Sequence, residues 1–261
     1  MDPATIIGIL IAFGAVLAMM VLEGANITSV LLPAPMILVF GATIAVGIAS
    51  ATLKDVLVAV KALPRAFIGK VSPIQKSIDE IVELAEVARR DGLLALEQKA
   101  DETDDPFVKR ALQSIADGTD GDELRILLED EISTTAKTDR IASRFFLTMG
   151  GYAPTIGIIG TVVSLTHVLE NLSQPDELGH MIAAAFVATL WGLISANFIW
   201  LPIGTRMKRI SELELERMNV VMEGMLAVQS GSQPRLLGER LRAMVPAHAL
   251  PKAEKSEPEA A

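Results

Sequence analysis

Apolar residues along this chain gather into four long blocks, and nearly all the charge lies between or after them. The blocks run over residues 4–22, about 35–51, about 149–169 and about 181–204, and none contains Asp, Glu, Lys or Arg. Runs of this length match the hydrocarbon thickness of a bilayer. Lipid offers no partner to a backbone N–H or C=O, so such runs must be helical. The pattern predicts an all-α integral membrane protein with four transmembrane helices. The first block follows Asp2 rather than a basic region, so it reads as a membrane helix and not as a cleaved leader.

The stretch between the second and third blocks has a different period. Ile74, Ile78, Ile81, Val82, Leu84, Ala85 and Ala88 fall on one stripe of a helix over 74–90, with charge opposite. Gly92 interrupts it, and an apolar turn follows at 93–96. Asp105-Pro106 starts a helix that reaches about Ala116, with Pro in the first turn. Asp117-Gly118 breaks that helix. Asp120 with Glu123 has the spacing of a capping box, opening a long helix from Gly121 into the third block. Asp117, Asp120, Asp122 and Glu123 do not form a calcium loop, because Thr119 and Gly121 occupy ligand positions. After the fourth block a helix continues over 207–228 with Glu212, Glu214, Glu216 and Arg217 in solvent. Residues beyond about 230 show little periodicity and are expected to be a disordered tail. The expected units are 1–53, the first two membrane helices; 54–144, a cytoplasmic helical domain; 145–205, the third and fourth membrane helices; 206–230, a cytoplasmic helix; and 231–261, the tail.

Charge fixes an orientation. All 23 Lys and Arg residues lie between Lys54 and Arg144 or from Arg206 onward. The positive-inside rule then places the middle segment and both termini in the cytoplasm. The chain is expected to be multi-pass in the inner (plasma) membrane, its two short connections facing outward. A net charge of −9 and 4% aromatic content argue against nucleic acid as a partner. Without cysteine there is no thiolate metal site or cysteine nucleophile. The three histidines, at 167, 180 and 248, lack metal-ligand spacing, so neither a metal nor a cofactor is expected. No phosphate loop or nucleophile–base pair is present either, and the chain is not expected to be an enzyme.

The third and fourth blocks carry stripes of small residues: Pro154, Gly157, Thr161 and Ser164 on one, and Ala185, Thr189, Gly192 and Ala196 on the other. Small faces let helices approach closely. Thr161 and Thr189 lie near mid-bilayer, where a hydroxyl can bond across an interface, line an ion path, or bond back to its own helix. Ion carriers usually need an ionisable group at such depth. His167, near one end of the third block, is the only histidine in any span. Either this chain moves no ions, or another chain supplies the carboxylate.

Five ordered segments resemble the MotA/PomA family of flagellar stator proteins: GANITSVLLPAPMILVFGAT after the first block, LAEVARRDGLLALE at 84–97, DPFVKRALQSIADGTDGDELRILLEDEI at 105–132, YAPTIGIIGTVVSLTHVLENL at 152–172 and AFVATLWGLISANFIWLPI at 185–203. The resemblance implies a ring of five subunits around two copies of a single-span MotB- or PomB-type partner, which brings the membrane aspartate. It further implies torque on the rotor protein FliG. On the family's pattern Arg89 and Glu97 face the rotor, with Arg90 an adjacent candidate. Thr161 and Thr189 line the ion pathway, and Pro154 and Pro202 couple ion loading to conformation. The transported ion is expected to be H+, with Na+ open, because sodium-driven members carry threonine at both positions. The ExbB/TolQ energisers of envelope transport resemble the last two spans only, and the paired N-terminal spans and the ARRDGLLALE segment favour the stator.

Overall fold

The computed structural model describes residues 4–173 and 175–250, and among these there is no strand. Ten α-helices follow one another: α1 (Ala4–Leu22), α2 (Pro33–Ala49), α3 (Leu53–Ile68), α4 (Ile74–Asp91), α5 (Leu96–Glu102), α6 (Pro106–Ala116), α7 (Gly121–Glu170), α8 (Pro175–Ile194), α9 (Leu201–Gln229) and α10 (Pro234–Ala243). The chain divides into two compact units, Met1–Lys70 with Thr138–Ser211 and Val71–Lys137 with Glu212–Ala261.

The first unit holds the apolar blocks. Three stretches among the described residues are long and apolar enough to cross a membrane: within α1, within α7, and within the continuous run from α8 into α9. The second block forms α2, whose 17 residues begin on Pro33 and end at Ala49. At 1.5 Å per residue that is roughly 25 Å, a few ångströms short of a typical hydrocarbon core. Ser50 and Ala51 belong to a turn instead of the helix.

That turn leads into α3, a helix that the sequence did not announce. Thr52 caps it: its hydroxyl accepts from the Asp55 N–H at 3.2 Å while the Asp55 carboxylate accepts from the Thr52 N–H at 3.4 Å. Ala59 and Ala66 are buried and pack with Phe145, Phe146 and Met149 of α7 and with Ile203 and Met207 of α9. Arg65 donates to Asp139 at 2.7 Å, tying α3 to α7.

The second unit is an ordinary water-excluding core. Ile78 and Ile81 of α4, Leu112 and Ile115 of α6, Leu124 and Leu128 of α7, and Val221 and Met225 of α9 are each at most 1% exposed. The stripe predicted on α4 is therefore the buried one. Asp105 caps α6 by accepting from the Phe107 and Val108 N–H groups at 2.9 and 3.3 Å. Asp120 caps α7, accepting from the Asp122 N–H at 3.0 Å.

Two expectations change here. Arg217 is not in solvent: it is 6% exposed, with its guanidinium 2.7 Å from the Asp105 carboxylate and 2.6 Å from that of Glu214. Burial pulls its pKa down, but the hydrogen bond and charge of Glu214 and those of Asp105 outweigh it, leaving the guanidinium raised. The cation locks the cap of α6 onto α9. Arg217→Met is expected to lower stability by about 3 kcal/mol, the lower end for breaking a buried pair, because both carboxylates keep some water contact. Thermal unfolding of the detergent-solubilised protein tests this, and an unchanged midpoint would refute it. Nor is the stretch after 230 wholly irregular: α10 fills Pro234–Ala243 and buries Leu237 and Leu241. The expected tail beyond 250 lies outside the described residues.

Candidate functional site

The small-residue stripes of α7 and α8 meet face to face. A Cβ placed on Gly157 would lie 2.9 Å from the Ala188 carbonyl oxygen and 3.1 Å from the Gly192 Cα. One placed on Gly192 would lie 2.9 Å from both the Ala153 carbonyl oxygen and the Gly157 Cα. The obstructing atoms are backbone, so only glycine permits this crossing. Ala188 belongs to the contact as well, beside Gly160, a role its alanine character alone did not signal.

At this crossing Thr161 and Thr189 make a hydroxyl–hydroxyl hydrogen bond. Thr161 also lies 3.0 Å from the Ala185 carbonyl of α8 and 3.2 Å from the Gly157 carbonyl of its own helix. The options of bonding across and bonding back are thus both geometrically realised. A threonine carries one hydroxyl proton. If Thr161 gives it to a carbonyl, it must accept from Thr189, and the Thr189 oxygen is left with acceptor capacity. Both side chains are half-buried. Such an oxygen can accept from water or coordinate a cation.

Beside the pair lies a groove of about 350 Å³ lined mainly by Pro35 and Leu38 of α2, Gly160, Ser164 and His167 of α7, and His180 and Ala188 of α8. Trp191 of α8 ties that helix to the segment around α2, donating to the Val30 carbonyl at 2.7 Å and packing on Phe40 with ring centroids 5.7 Å apart. Asn171 donates to the His167 carbonyl at 2.8 Å, and both residues are near the end of α7.

Pro154 sits inside the unbroken α7 and deprives the Gly150 carbonyl of its i+4 donor. Pro202 stands in the first turn of α9, directly after a π-helical segment, Ser195–Trp200, that joins α8 to α9. The wider π turn accommodates a helix whose ladder loses a donor at proline. The proline was readable from the sequence; the π segment before it was not.

Arg89, Arg90 and Glu97 lie in the second unit, around the turn between α4 and α5, and all three are exposed. Gly92 makes the turn with φ +87°, a left-handed conformation that disfavours other residues, while its N–H closes α4 on the Ala88 carbonyl. Arg90 is engaged by its neighbour Asp91 at 2.7 Å. The hydrogen bond to Asp91, reinforced by its charge, raises the Arg90 pKa, and the bond from Arg90 lowers that of Asp91. Among the described residues Arg89 and Glu97 enter no ion pair. Of the two arginines, Arg89 is therefore the one whose charge is uncommitted.

Comparison with known proteins adds to this geometry. Residues 6–92 match the family described as motility protein A N-terminal, and residues 99–220 match the MotA/TolQ/ExbB proton channel family. The first match covers the paired N-terminal helices α1 and α2. Motility protein A of Bacillus subtilis is 33% identical over 252 residues, covering 95% of this chain and 92% of its own length. Chemotaxis protein PomA of Vibrio alginolyticus is 32% identical over 247 residues, covering 93% of this chain and 94% of its own. The fold is similar to that in the C. jejuni MotAB structure, with TM-score 0.91 and 27% identity over 97% of this chain and all of that one. It is likewise similar to that in the flagellar MotAB stator complex from Bacillus subtilis, with TM-score 0.87 and 32% identity over 95% of this chain and 97% of that one. Apolar helices, a glycine-built crossing and similarity along nearly the whole chain give one answer: this membrane protein belongs to the motility protein A (MotA) family of flagellar motor stator proteins.

Proposed function

We propose that the chain works as the ring-forming subunit of an ion-driven stator, converting ion flow across the inner membrane into torque on the flagellar rotor. Four helices cross the membrane, α2 being the short one, with both termini in the cytoplasm. Five copies surround two copies of a single-span MotB-type partner. The partner supplies the carboxylate, because the apolar blocks here contain no Asp, Glu, Lys or Arg. Thr161 and Thr189 flank the ion's route. Pro154 and Pro202 let α7 and α9 bend as the partner's carboxylate is loaded and emptied.

The observation that carries this reading is the Thr161–Thr189 hydroxyl pair at the glycine crossing of α7 and α8. It puts oxygen acceptors within apolar blocks that hold no Asp, Glu, Lys or Arg, where a cation that has shed part of its water needs them. The coupling ion in this reading is the proton. Rotation of tethered cells lacking their own stator, supplied with this chain and its single-span partner, tests the function. Rotation indifferent to sodium at fixed pH is expected. Sodium-dependent rotation would reassign the ion, and absence of rotation from an assembled complex with a compatible rotor would overturn the reading.

The exposed charges around Gly92 form the rotor contact in this reading, with the FliG protein as the partner. Exposed charges of this kind set approach and register more than raw affinity, and they are screened by salt. Reversing both Arg89 and Glu97 (R89E with E97R) is expected to cut torque at least several-fold while leaving membrane assembly unchanged. Single reversals should cost less, because Arg90 and neighbouring charges share the surface. Normal swimming by the double variant would remove these residues from the contact.

A further inference from the structure

His167 and His180 stand thirteen positions apart in the sequence, too far for a local ligand motif, yet both line the groove between α2, α7 and α8. The helix crossing explains why. Gly157 opposes Gly192 and Gly160 opposes Ala188, so α7 and α8 run antiparallel. Carried seven residues beyond Gly160, that register sets His167 level with Met181, one position and about 1.5 Å from His180. Both histidines are exposed, and each helix contributes one. Ser164 is the one other polar residue lining this groove.

Two imidazoles at one depth, on facing helices, are a ligand set for a borderline-soft divalent cation. Imidazole nitrogen suits zinc, which has no geometric preference from its d electrons and accepts water at open positions. Calcium and magnesium take oxygen ligands and are not held by such a pair. The surroundings of His167 supply an orienting contact. Its Nδ1 lies 3.7 Å from the Glu170 carboxylate, and the Asn171 amide approaches the same nitrogen at 3.3 Å. With Asn171 donating, Nδ1 is an acceptor and the ring proton sits on Nε2. Coordination through Nε2 moves that proton, by way of solvent, to Nδ1, and the ring stays neutral. Nδ1 then donates to Glu170 after a small closure of the 3.7 Å gap, while Asn171 keeps its 2.8 Å bond to the His167 carbonyl. A ligating histidine whose second nitrogen donates to a carboxylate is the common arrangement of zinc sites. Among the described residues no third histidine or carboxylate completes a metal-holding group. Two protein ligands with water at the other positions make a reversible site, in contrast to the closed four-ligand set of structural zinc.

We propose that His167 and His180 hold a zinc ion across this groove, with Glu170 as the positioning residue for His167, and that the bound ion blocks the ion route from its outer end. The connection between α7 and α8 faces outward in the proposed orientation, so zinc reaches the site from outside the cell membrane. The groove also touches Gly160 and Ala188, the sequence neighbours of Thr161 and Thr189. A doubly charged ion fixed there repels a cation approaching the hydroxyl pair. The block rests on the reading of that pair as part of the ion's route; the binding of zinc does not.

The chain has no cysteine and one further histidine, His248, so His248→Gln gives a background nearly free of competing ligands. The full chain in this background is purified with its single-span partner on a tag without histidine, placed in nanodiscs and titrated with zinc chloride by calorimetry. Saturable binding is expected. Either His167→Gln or His180→Gln should abolish it, and Glu170→Gln should weaken it about tenfold. The three side chains are exposed, so unfolding midpoints without zinc are expected to match the background, which separates lost binding from lost fold. Absence of binding, or binding unchanged in both histidine variants, would overturn the site. Unchanged affinity in Glu170→Gln would overturn the role of that carboxylate. Proton flux is then read in right-side-out vesicles with zinc added outside. Saturating zinc is expected to suppress flux through the background protein, while the variant carrying both His167→Gln and His180→Gln conducts as well and ignores zinc. Flux that persists at saturating zinc would overturn the block. If the zinc-free complex passes no protons, the stator reading fails, whereas calorimetry still decides the site.

Discussion

Replacing Thr189 by isoleucine is expected to reduce ion current through the assembled stator to less than a tenth, with membrane insertion and partner binding retained. The substitution keeps the β-branch and so the restricted χ1 of the position. It replaces the hydroxyl that bonds Thr161 with an ethyl group, one heavy atom larger, at the crossing. Thr161 still has the Ala185 and Gly157 carbonyls at 3.0 and 3.2 Å, so no hydroxyl proton is stranded. That is why assembly should survive while the acceptor oxygen disappears. Thr189→Val separates the two effects, since it loses the oxygen without adding bulk. If valine conducts normally and isoleucine does not, the pathway is blocked by size alone. Full current in both variants would move the pathway away from α7 and α8. Current is read as proton flux into inverted vesicles carrying this chain and its partner, with co-purification of the two proteins as the assembly control.

The positions of both threonines were legible from spacing, because small residues three and four apart must share a face of a helix. That they bond to each other was not, since the relative rotation of α7 and α8 is set by the Gly157–Gly192 contact. In the second unit the stripe on α4 and the Asp105 cap followed from local pattern. Arg217 did not. It sits in the run ELELERM, where each charge locally looks solvated, and Asp105 arrives from more than a hundred residues away. The α3 segment stands out in the sequence by Lys54, Lys61 and Arg65 rather than as a helix, although its capping pair Thr52–Asp55 and its apolar positions are present. Pro64 inside the helix and an apolar stripe that faces outward both work against the usual pattern of a core-facing helix. For α10 the signal was Pro234 at a helix start, obscured by a short and strongly charged segment.

Gly157→Val is expected to be the most damaging single substitution in the membrane unit. The new Cβ would meet the Ala188 carbonyl oxygen at 2.9 Å, the Gly192 Cα at 3.1 Å and the Thr189 Cα at 3.3 Å. A flexible side chain could turn aside, but these are atoms of the α8 backbone, so the helices themselves must separate. Overpacking of a fitted contact commonly costs about 1–3 kcal/mol. Here separation would also stretch the 3.0 Å bond from Thr161 to the Ala185 carbonyl. Between helices in lipid there is little hydrophobic drive to restore the contact, because the surrounding chains are as apolar as the helix faces. Thermal stability in detergent should drop, and co-purification with the single-span partner should be lost. Gly151→Ala is the matched control: it lies in the same helix with nothing within 4 Å of its added Cβ, and it should behave as wild type. A stable, conducting Gly157→Val protein would mean that α7 and α8 need not meet at this crossing, and the hydroxyl pair would then lose its claim to the ion's route.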